Sequence, residues 1–567
     1  MKKTSSSTSH KKYDSAVCHI ITQTNEDETA VAVCGYSLVS LDMFSISISN
    51  SLVDMFEYCI NNRIRTIFFH DFTLEGDFII NFFLDLGLEH VDSCNKDKTF
   101  SIFKANNKLY SITARFNGCR FSIFGSRNIL MSSVNDINRS WACGYNNDFE
   151  DHVVCLKHDQ CVTNDMLNIN TEYCKVLCKA LNAWQKKNNG TSYTVGAEAL
   201  KQWKSSYINW SNDFANKIDI ETENKLRKAY RGGFTWLKPS YKNILINDGI
   251  VIDANAMYSS IMTQCDMPYG TPIHDTNYTC NGYPYSIYKV KMTADIKQNS
   301  IPCLSCSNTD KYSASMNKTE YLDTLEDEII YLTNFDLDLA KKCYDILYYE
   351  ILEAWHFKTK IGCFDSYLKF WYDQKINTDG AVHELSKLMY EALSGKFGSR
   401  RDGYKCIPKL MDDGSITYEP IKLNSDTSKL FNYIPVIIFT TSLARKKIIE
   451  LGLNYYDRLV YIDTDSVHLI GTELPDVEIG KNLGQYKIEA IFKKAKYIGL
   501  KNYIHDEVDV NGAIKTVTKM AGAPKNVQKQ LNWDNFHTGT VVDGKPYIVH
   551  LIGGSIRRNT KYTLLIQ

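Results

Sequence analysis

The stretch Leu459 to Ile470, LVYIDTDSVHLI, constrains the fold more than any other part of the sequence. An apolar strand stops, exposes Asp463-Thr464-Asp465-Ser466, and resumes as a second apolar strand. That pattern predicts a tight hairpin with two carboxylates at its tip. Alternation puts Asp463 and Asp465 on the same side. Two like charges held this close are costly without a cation, so a metal site is one reading. A β-turn in which Asp and Ser cap backbone groups is the other.

Asp253 bears on that choice. Gly249 to Ile252, GIVI, is a short buried-type strand that ends on Asp253, and residues 254–262 continue with helical spacing through Tyr258. Strand-end carboxylates that are distant in sequence can meet in one sheet. Three carboxylates holding two Mg²⁺ ions suit in-line phosphoryl transfer, in which one ion lowers the pKa of an attacking hydroxyl and the other neutralises the leaving pyrophosphate.

Composition sets the frame. At 567 residues the chain is too long for one core, and about 150 residues per domain suggests three or four units. Apolar residues are 44% and charged residues 23%, which fits a folded globular chain. Lys+Arg and Asp+Glu are both 65, so nucleic acid would meet a local basic channel rather than a basic surface. No window approaches 18 uninterrupted apolar residues, and MKKTSSSTSHKKYD lacks the apolar core of a secretory signal. A cytoplasmic protein with no membrane partner is expected. The 17 cysteines, among them Cys18, Cys34, Cys178, Cys265 and Cys343, show no framework spacing and read as reduced. Cys303 and Cys306 form a lone CxxC with no second pair at zinc-ribbon distance.

Residues 30–37, 66–70 and 109–124 read as strands, and residues 77–86 as an amphipathic helix behind a Gly76 turn. The polar stretch KKNNGT, 186–191, marks a first boundary. Tyr230-Arg231-Gly232-Gly233 could bring backbone close to a phosphate, or could be a turn before a strand. Helical text follows at 336–347, 365–373, 381–397 and 435–445, with a DDG turn predicting a hairpin near 404–422. From Lys487 to Lys529 there are nine lysines and four acids, which fits a basic stripe tracking duplex phosphates or a solvated helix face.

Taken in order, these segments resemble the motifs of family B DNA polymerases, and of their protein-primed branch above all. That branch serves tailed phages with protein-capped linear genomes, linear plasmids and adenoviruses. Residues 461–466, YIDTDS, resemble its motif C (YxDTDS), residues 253–259 its motif A (DxxSLYP), and residues 387–397, KLMYEALSGKF, its motif B (KLMxNSxYGKF). Tyr230 to Gly233 is similar to the branch's YxGG, Thr441 to Arg445 to its TxxAR, and Lys501-Asn502-Tyr503 to its KxY.

The resemblance implies an α/β multidomain fold. An RNase H-like exonuclease domain would occupy 1–190, followed by a right-hand polymerase. The palm would take 191–262 and 432–521, the fingers 361–398, and the thumb 522–567. Two insertions at 263–360 and 399–431 would contact terminal protein and encircle product DNA respectively. The resemblance assigns Asp253, Asp463 and Asp465 to two Mg²⁺ ions, with Mn²⁺ as an alternative. It assigns Lys387, with Lys375, to the phosphates of the incoming dNTP. It places Ala254 beside the nucleotide and makes Tyr258 the steric gate against a 2′-OH. Lys501 would act at the primer end. DNA contacts would come from Tyr230, Arg231, Gly232, Gly233, Thr441, Arg445, Tyr503, His70 and Ser126, with Asp71 beside the last two. A monomer that uses primer-template DNA, dNTPs and a terminal protein is expected.

The first domain departs from the family. Relatives place DxE on the first strand, where Val17 and His19 stand here. The catalytic Asp of the second exonuclease motif is Glu75, with Asp77 as a substitute, and residues 170–175 offer no YxxxD. A 3′–5′ exonuclease needs about four carboxylates around two metals. Proofreading is therefore expected to be lost, unless Asp14, Glu26 or Glu28 supplies carboxylates after a register shift. Motif B carries Glu391 and Ser394 where relatives have Asn and Tyr, and Ser259 replaces the Pro of motif A. The alternative reading is a non-catalytic DNA-binding replication factor that keeps the scaffold; a reverse transcriptase fits the DTDS tip and motif B less well.

Overall fold

The computed structural model describes residues 14–42, 44–48, 50–105, 108–141, 143–149, 155–188, 192–311, 320–399, 404–422, 433–509 and 511–565. Residues 1–13, expected as a tail, and 189–191 of the expected boundary lie outside them.

The N-terminal sheet has, in spatial order, Ser45–Ile48, Val31–Ser40, Ser15–Thr24, Thr66–Phe69, Cys119–Gly125, Lys108–Phe116, Thr99–Ala105 and Glu89–His90, with Cys155–Leu156 also pairing Ser15–Thr24. Ser15–Thr24 runs antiparallel to Val31–Ser40 and parallel to Thr66–Phe69. Its residues 16–22 are all buried, as a central strand of unbroken apolar text should be. The helix after Thr66–Phe69 spans Phe72–Asp85, so Gly76 is not the turn that the sequence suggested. A Cβ on Gly76 would stand 2.2 Å from Leu109. The glycine lets the helix lie close on the sheet.

A second sheet carries the carboxylates. Its order is Thr235–Leu237, Leu459–Asp463, Ser466–Ile470, Leu245–Ala254, Tyr486–Gly499, Asn502–Val508 and Ile514–Met520. The two apolar arms of LVYIDTDSVHLI pair with each other, and the second arm pairs with the strand that ends at Ala254. Behind this sheet, Pro435–Asn454 is a longer core helix than expected. The helices Asp365–Ile376 and Gly380–Phe397 pack together at its side.

Residues 267–360 form a four-stranded sheet ordered Met267–Asp275, Tyr344–Lys360, Tyr285–Ile296 and Thr324–Thr333. The helix expected at 336–347 runs Asn334–Cys343, opened by a capping box between Thr333 and Asp336. It stops there because Tyr344–Lys360, rich in aromatic and β-branched residues, is a strand. Two hairpins stand apart from the sheets: Tyr404–Leu410 with Ile416–Lys422, and Val541–Leu551 with Gly554–Thr563. All 17 cysteines are free thiols. No helix among the described residues is long and apolar enough to cross a membrane.

Candidate active site

The acidic tip forms because the chain turns sharply at Thr464, whose φ is +63°. The Thr464 N–H donates to Phe234 O at 2.6 Å, and Asp465 N–H donates to Asp463 O at 2.7 Å. Gly233 faces this turn, and a Cβ there would meet the Thr464 side chain at 2.5 Å. So the second glycine of YRGG serves packing against the tip.

Strand register brings the third carboxylate in. Asp253 lies opposite Ser466 on one side and Lys487 on the other. Asp253, Asp463, Asp465, Glu489, Lys501, Tyr503 and Lys519 line one cavity of about 480 Å³. Lys487 Nζ stands 2.6 Å from Asp253 Oδ1, and Lys501 Nζ 2.9 Å from Asp463 Oδ1. Burial, with the charges of Asp253 and Asp463, pushes the Asp465 carboxyl up to about 7. Ala254 is buried, and its N–H donates to Asp465 O at 2.8 Å. No group of three His, Cys, Asp or Glu side chains among the described residues is gathered tightly enough to hold an ion as it stands. The carboxylates nonetheless fit a hard divalent cation: they share a cavity, supply oxygen donors, and the charges of Asp253 and Asp463 disfavour ionisation of Asp465.

A second cavity, of about 340 Å³, adjoins the tip at Thr464 and Asp465. Tyr258, Ser259, Tyr390, Glu391, Ser394 and Gly395 line it. Burial pushes the Tyr258 hydroxyl up to about 12. Burial raises the Glu391 carboxyl too, and the Lys387 and Lys375 ammoniums draw it back. Burial lowers Lys375, helped by the charges of Lys487 and Lys387. The fold thus gathers Lys375, Lys387 and Lys487 near Asp253. Lys487 carried no separate signal in the sequence, because cross-strand register is not visible there.

Several residues expected to touch DNA are placed in the interior. Arg231 is 8% and Arg445 2% exposed, and both donate to Asp336 at 3.0 and 2.9 Å. Arg445 also donates to Arg231 O and Gly232 O, which fixes the YRGG backbone. Thr441 is buried and donates to Ile437 O within its own helix. His70 and Ser126 are buried against each other at 2.9 Å. With Nε2 on Ser132 O, burial holds His70 neutral, its pKa lowered to about 3. These five side chains are buried and are bonded within the protein. Tyr230, Gly232, Lys501 and Tyr503 keep some exposure. Tyr503 closes a ring cluster with Tyr461, Tyr497 and His468.

In the first domain, Val17 is buried and His19 is 1% exposed. His19 Nδ1 lies 2.6 Å from Glu75 Oε1, and Tyr173 stacks on the His19 ring at 4.3 Å. Asn170 donates to His19 O, and Glu75 Oε2 accepts from Asp71 N–H. Only about 20 Å³ of cavity remains between this cluster and Ser555 and Ile556. Asp77, two residues past Glu75 on the same helix, is turned about 200° away from it. Asp14, Glu26 and Glu28 lie exposed outside the strand Ser15–Thr24.

Residues 146–482 match the family described as DNA polymerase type B, organellar and viral. The chain is 30% identical to the DNA polymerase of Bacillus phage Nf, across 96% of its own length and 99% of that relative's. It is 28% identical to that of Streptococcus phage Cp-1 across 96% and 97%, and 33% to that of Bacillus phage phi29 across 65% and 67%. It superposes on phi29 DNA polymerase complexed with primer-template DNA with a TM-score of 0.87 at 26% identity, covering 97% of this chain and 99% of that one. The complex of that polymerase with incoming nucleotide substrates gives 0.85. The chain belongs to the type B DNA polymerases, organellar and viral, and is a DNA polymerase of the phi29 type.

Proposed function

We propose that this polymerase copies DNA from a protein-primed start. It would extend a primer 3′-OH or a terminal-protein hydroxyl and release pyrophosphate, with 3′–5′ proofreading lost. The observation that carries the reading is the convergence of Asp253, Asp463 and Asp465 on one cavity beside a nucleotide-sized one. Asp253 and Asp463, with Asp465, would hold two Mg²⁺ ions, which supply charge neutralisation at the attacking and leaving oxygens. Lys387, Lys375 and Lys487 would bind the triphosphate, and Lys501 would orient the primer end from Asp463. Arg231 and Arg445 would position YRGG through Asp336. The domain limits given above are part of this proposal. Primer-template DNA and dNTPs would be substrates, terminal protein the starting partner, and the host cytoplasm the setting of a monomeric enzyme.

Loss of proofreading is supported by the His19–Glu75 cluster. The buried histidine takes up the remaining carboxylate, and little space is left for a strand end. The test is a 5′-labelled primer-template with Mg²⁺, run with dNTPs, without them, and with terminal protein in a parallel lane. Extension without shortening of the primer is the expected result. Shortening without dNTPs would overturn the account of the first domain. DNA binding with no extension in any lane would favour a non-catalytic replication factor.

Tyr258 gives a second test. Its ring walls the cavity beside Asp465. Tyr258→Val is expected to narrow the preference for dNTP over rNTP by about a hundredfold while leaving dNTP addition nearly unchanged. Single-nucleotide kinetics with each substrate would read this.

A further inference from the structure

Two of the three site carboxylates already carry an ammonium: Lys487 on Asp253 at 2.6 Å, and Lys501 on Asp463 at 2.9 Å. The two lysines are held differently. Lys501 is anchored through its backbone, whose N–H donates at 2.8 Å to the hydroxyl of Tyr461, on the same strand as Asp463. Lys487 is placed by strand register alone. Asp253 and Lys487 are direct partners in the ladder between Leu245–Ala254 and Tyr486–Gly499. Directly opposed residues of an antiparallel pair share a face, so the ammonium meets the carboxylate. The register shifts just before them: Val251 faces Ala490 and Ile252 faces Ile488, which leaves Glu489 as the extra residue of a bulge. Glu489 lines the cavity of the carboxylates.

Lys487 also stands within reach of a second seat. The Tyr372 hydroxyl donates to Lys481 O at 2.7 Å, which fastens the helix Asp365–Ile376 to the segment leading into the strand of Lys487. Lys375 follows Tyr372 by one turn on that helix. The charges of Lys487, Lys387 and Asp253 all reach Lys375. The Lys487 side chain is half-exposed, and its four-carbon stem leaves the ammonium free to swing. One way it meets Asp253; the other way it joins the two lysines proposed to take the triphosphate.

We propose that Lys487 is an exchangeable counter-ion: it neutralises Asp253 while no nucleotide is bound, and passes to the triphosphate when a nucleotide arrives with its Mg²⁺. This rests on the polymerase reading above. An ammonium seated on Asp253 opposes a divalent cation on the same carboxylate, because like charges repel at such distances. Leaving Asp253 strips the ammonium of its partner unless another anion takes it up, and the triphosphate is that anion. A cation alone is therefore disfavoured at Asp253, whereas cation and nucleotide together favour each other's binding. Lys487 is thus a positioning residue that ties metal loading to the presence of substrate.

The test uses the full chain with Lys487→Met, which keeps an apolar stem and drops the charge, and Lys487→Arg, which keeps the charge. Mn²⁺ alone is titrated without nucleotide or DNA, and the free ion is read by electron paramagnetic resonance. Lys487→Met should bind Mn²⁺ about tenfold more tightly than the unaltered chain, and Lys487→Arg no more tightly. Adding Asp253→Asn to Lys487→Met should erase the gain. Single-nucleotide addition at saturating Mg²⁺ supplies the second readout: the KM for dNTP should rise about fivefold in Lys487→Met and less in Lys487→Arg. Unchanged Mn²⁺ affinity in Lys487→Met would overturn the proposal. So would a gain shared by Lys487→Arg, or one that survives Asp253→Asn. A tighter Mn²⁺ site with an unchanged KM would overturn it too, since the ammonium would then never reach the triphosphate. Failure of the polymerase reading looks different: the unaltered chain would add no nucleotide, whatever the Mn²⁺ titrations gave.

Discussion

Asp463→Ala is expected to abolish primer extension, lowering the rate of nucleotide addition by about a thousandfold or more, since several kcal/mol of charge stabilisation are at stake. Asp463 sits at the end of Leu459–Asp463, and its Oδ1 is 2.9 Å from Lys501 Nζ. It also accepts from Thr235 and Tyr461, each at 3.3 Å. An alanine there removes a proposed Mg²⁺ ligand and leaves Lys501 without its partner. Asp463→Asn separates the two effects. It keeps the size and the hydrogen bonds but loses the charge, so it should fail almost as completely if the charge is what matters. DNA binding by gel shift should survive in both variants, because the lysines proposed to meet phosphates are untouched. If Asp463→Ala extends primers at the unaltered rate, the assignment of this carboxylate fails. If binding falls with extension, the residue is shaping the fold instead.

The same hairpin shows how much of the molecule was legible in advance. LVYIDTDSVHLI contained both strands and the turn, since burial of two apolar arms leaves the polar tip no other place. Asp253 was legible because an apolar strand ended on it. What the sequence hid was partnership. Arg231 looked like a phosphate grip because two glycines stood beside it, and Arg445 because residues 441–445 resemble the branch's TxxAR motif. Their partner, Asp336, caps a helix more than a hundred residues from either. Lys487 looked like one lysine of a stripe until register set it opposite Asp253. Gly76 looked like a turn because its need for space comes from Leu109, on another strand. The replacements at Val17, His19 and Glu75 were visible. That His19 and Glu75 bind each other was not.

Asp336→Ala should be the most destabilising single change in the polymerase half. Asp336 is 2% exposed and accepts from Arg231 Nη2 at 3.0 Å and from Arg445 Nη2 at 2.9 Å. It also caps the helix Asn334–Cys343 through Thr333. Burial would raise its carboxyl, but the two guanidiniums and the Thr333 hydroxyl hold it well below the usual range. Because the folded carboxyl is depressed, its contribution is complete above the ordinary carboxylate pKa of about 4 and is lost as pH falls below that. Alanine leaves two buried positive charges facing each other. Breaking a buried pair by removing one partner costs about 3–5 kcal/mol, which corresponds to a fall of about 5 °C in the melting midpoint of a unit this large. Asp336→Asn should cost less, since the cap and one acceptor survive. The triple replacement Arg231→Met, Asp336→Leu, Arg445→Met removes all three charges and should recover much of the loss. Such a chain should still extend primers poorly, because Arg445 no longer holds the carbonyls of Arg231 and Gly232, and Gly233 packs against the Thr464 turn. Thermal unfolding and single-nucleotide addition on the same preparations would separate the two roles. Full activity in the triple variant would show that the triad stabilises the fold without placing the site.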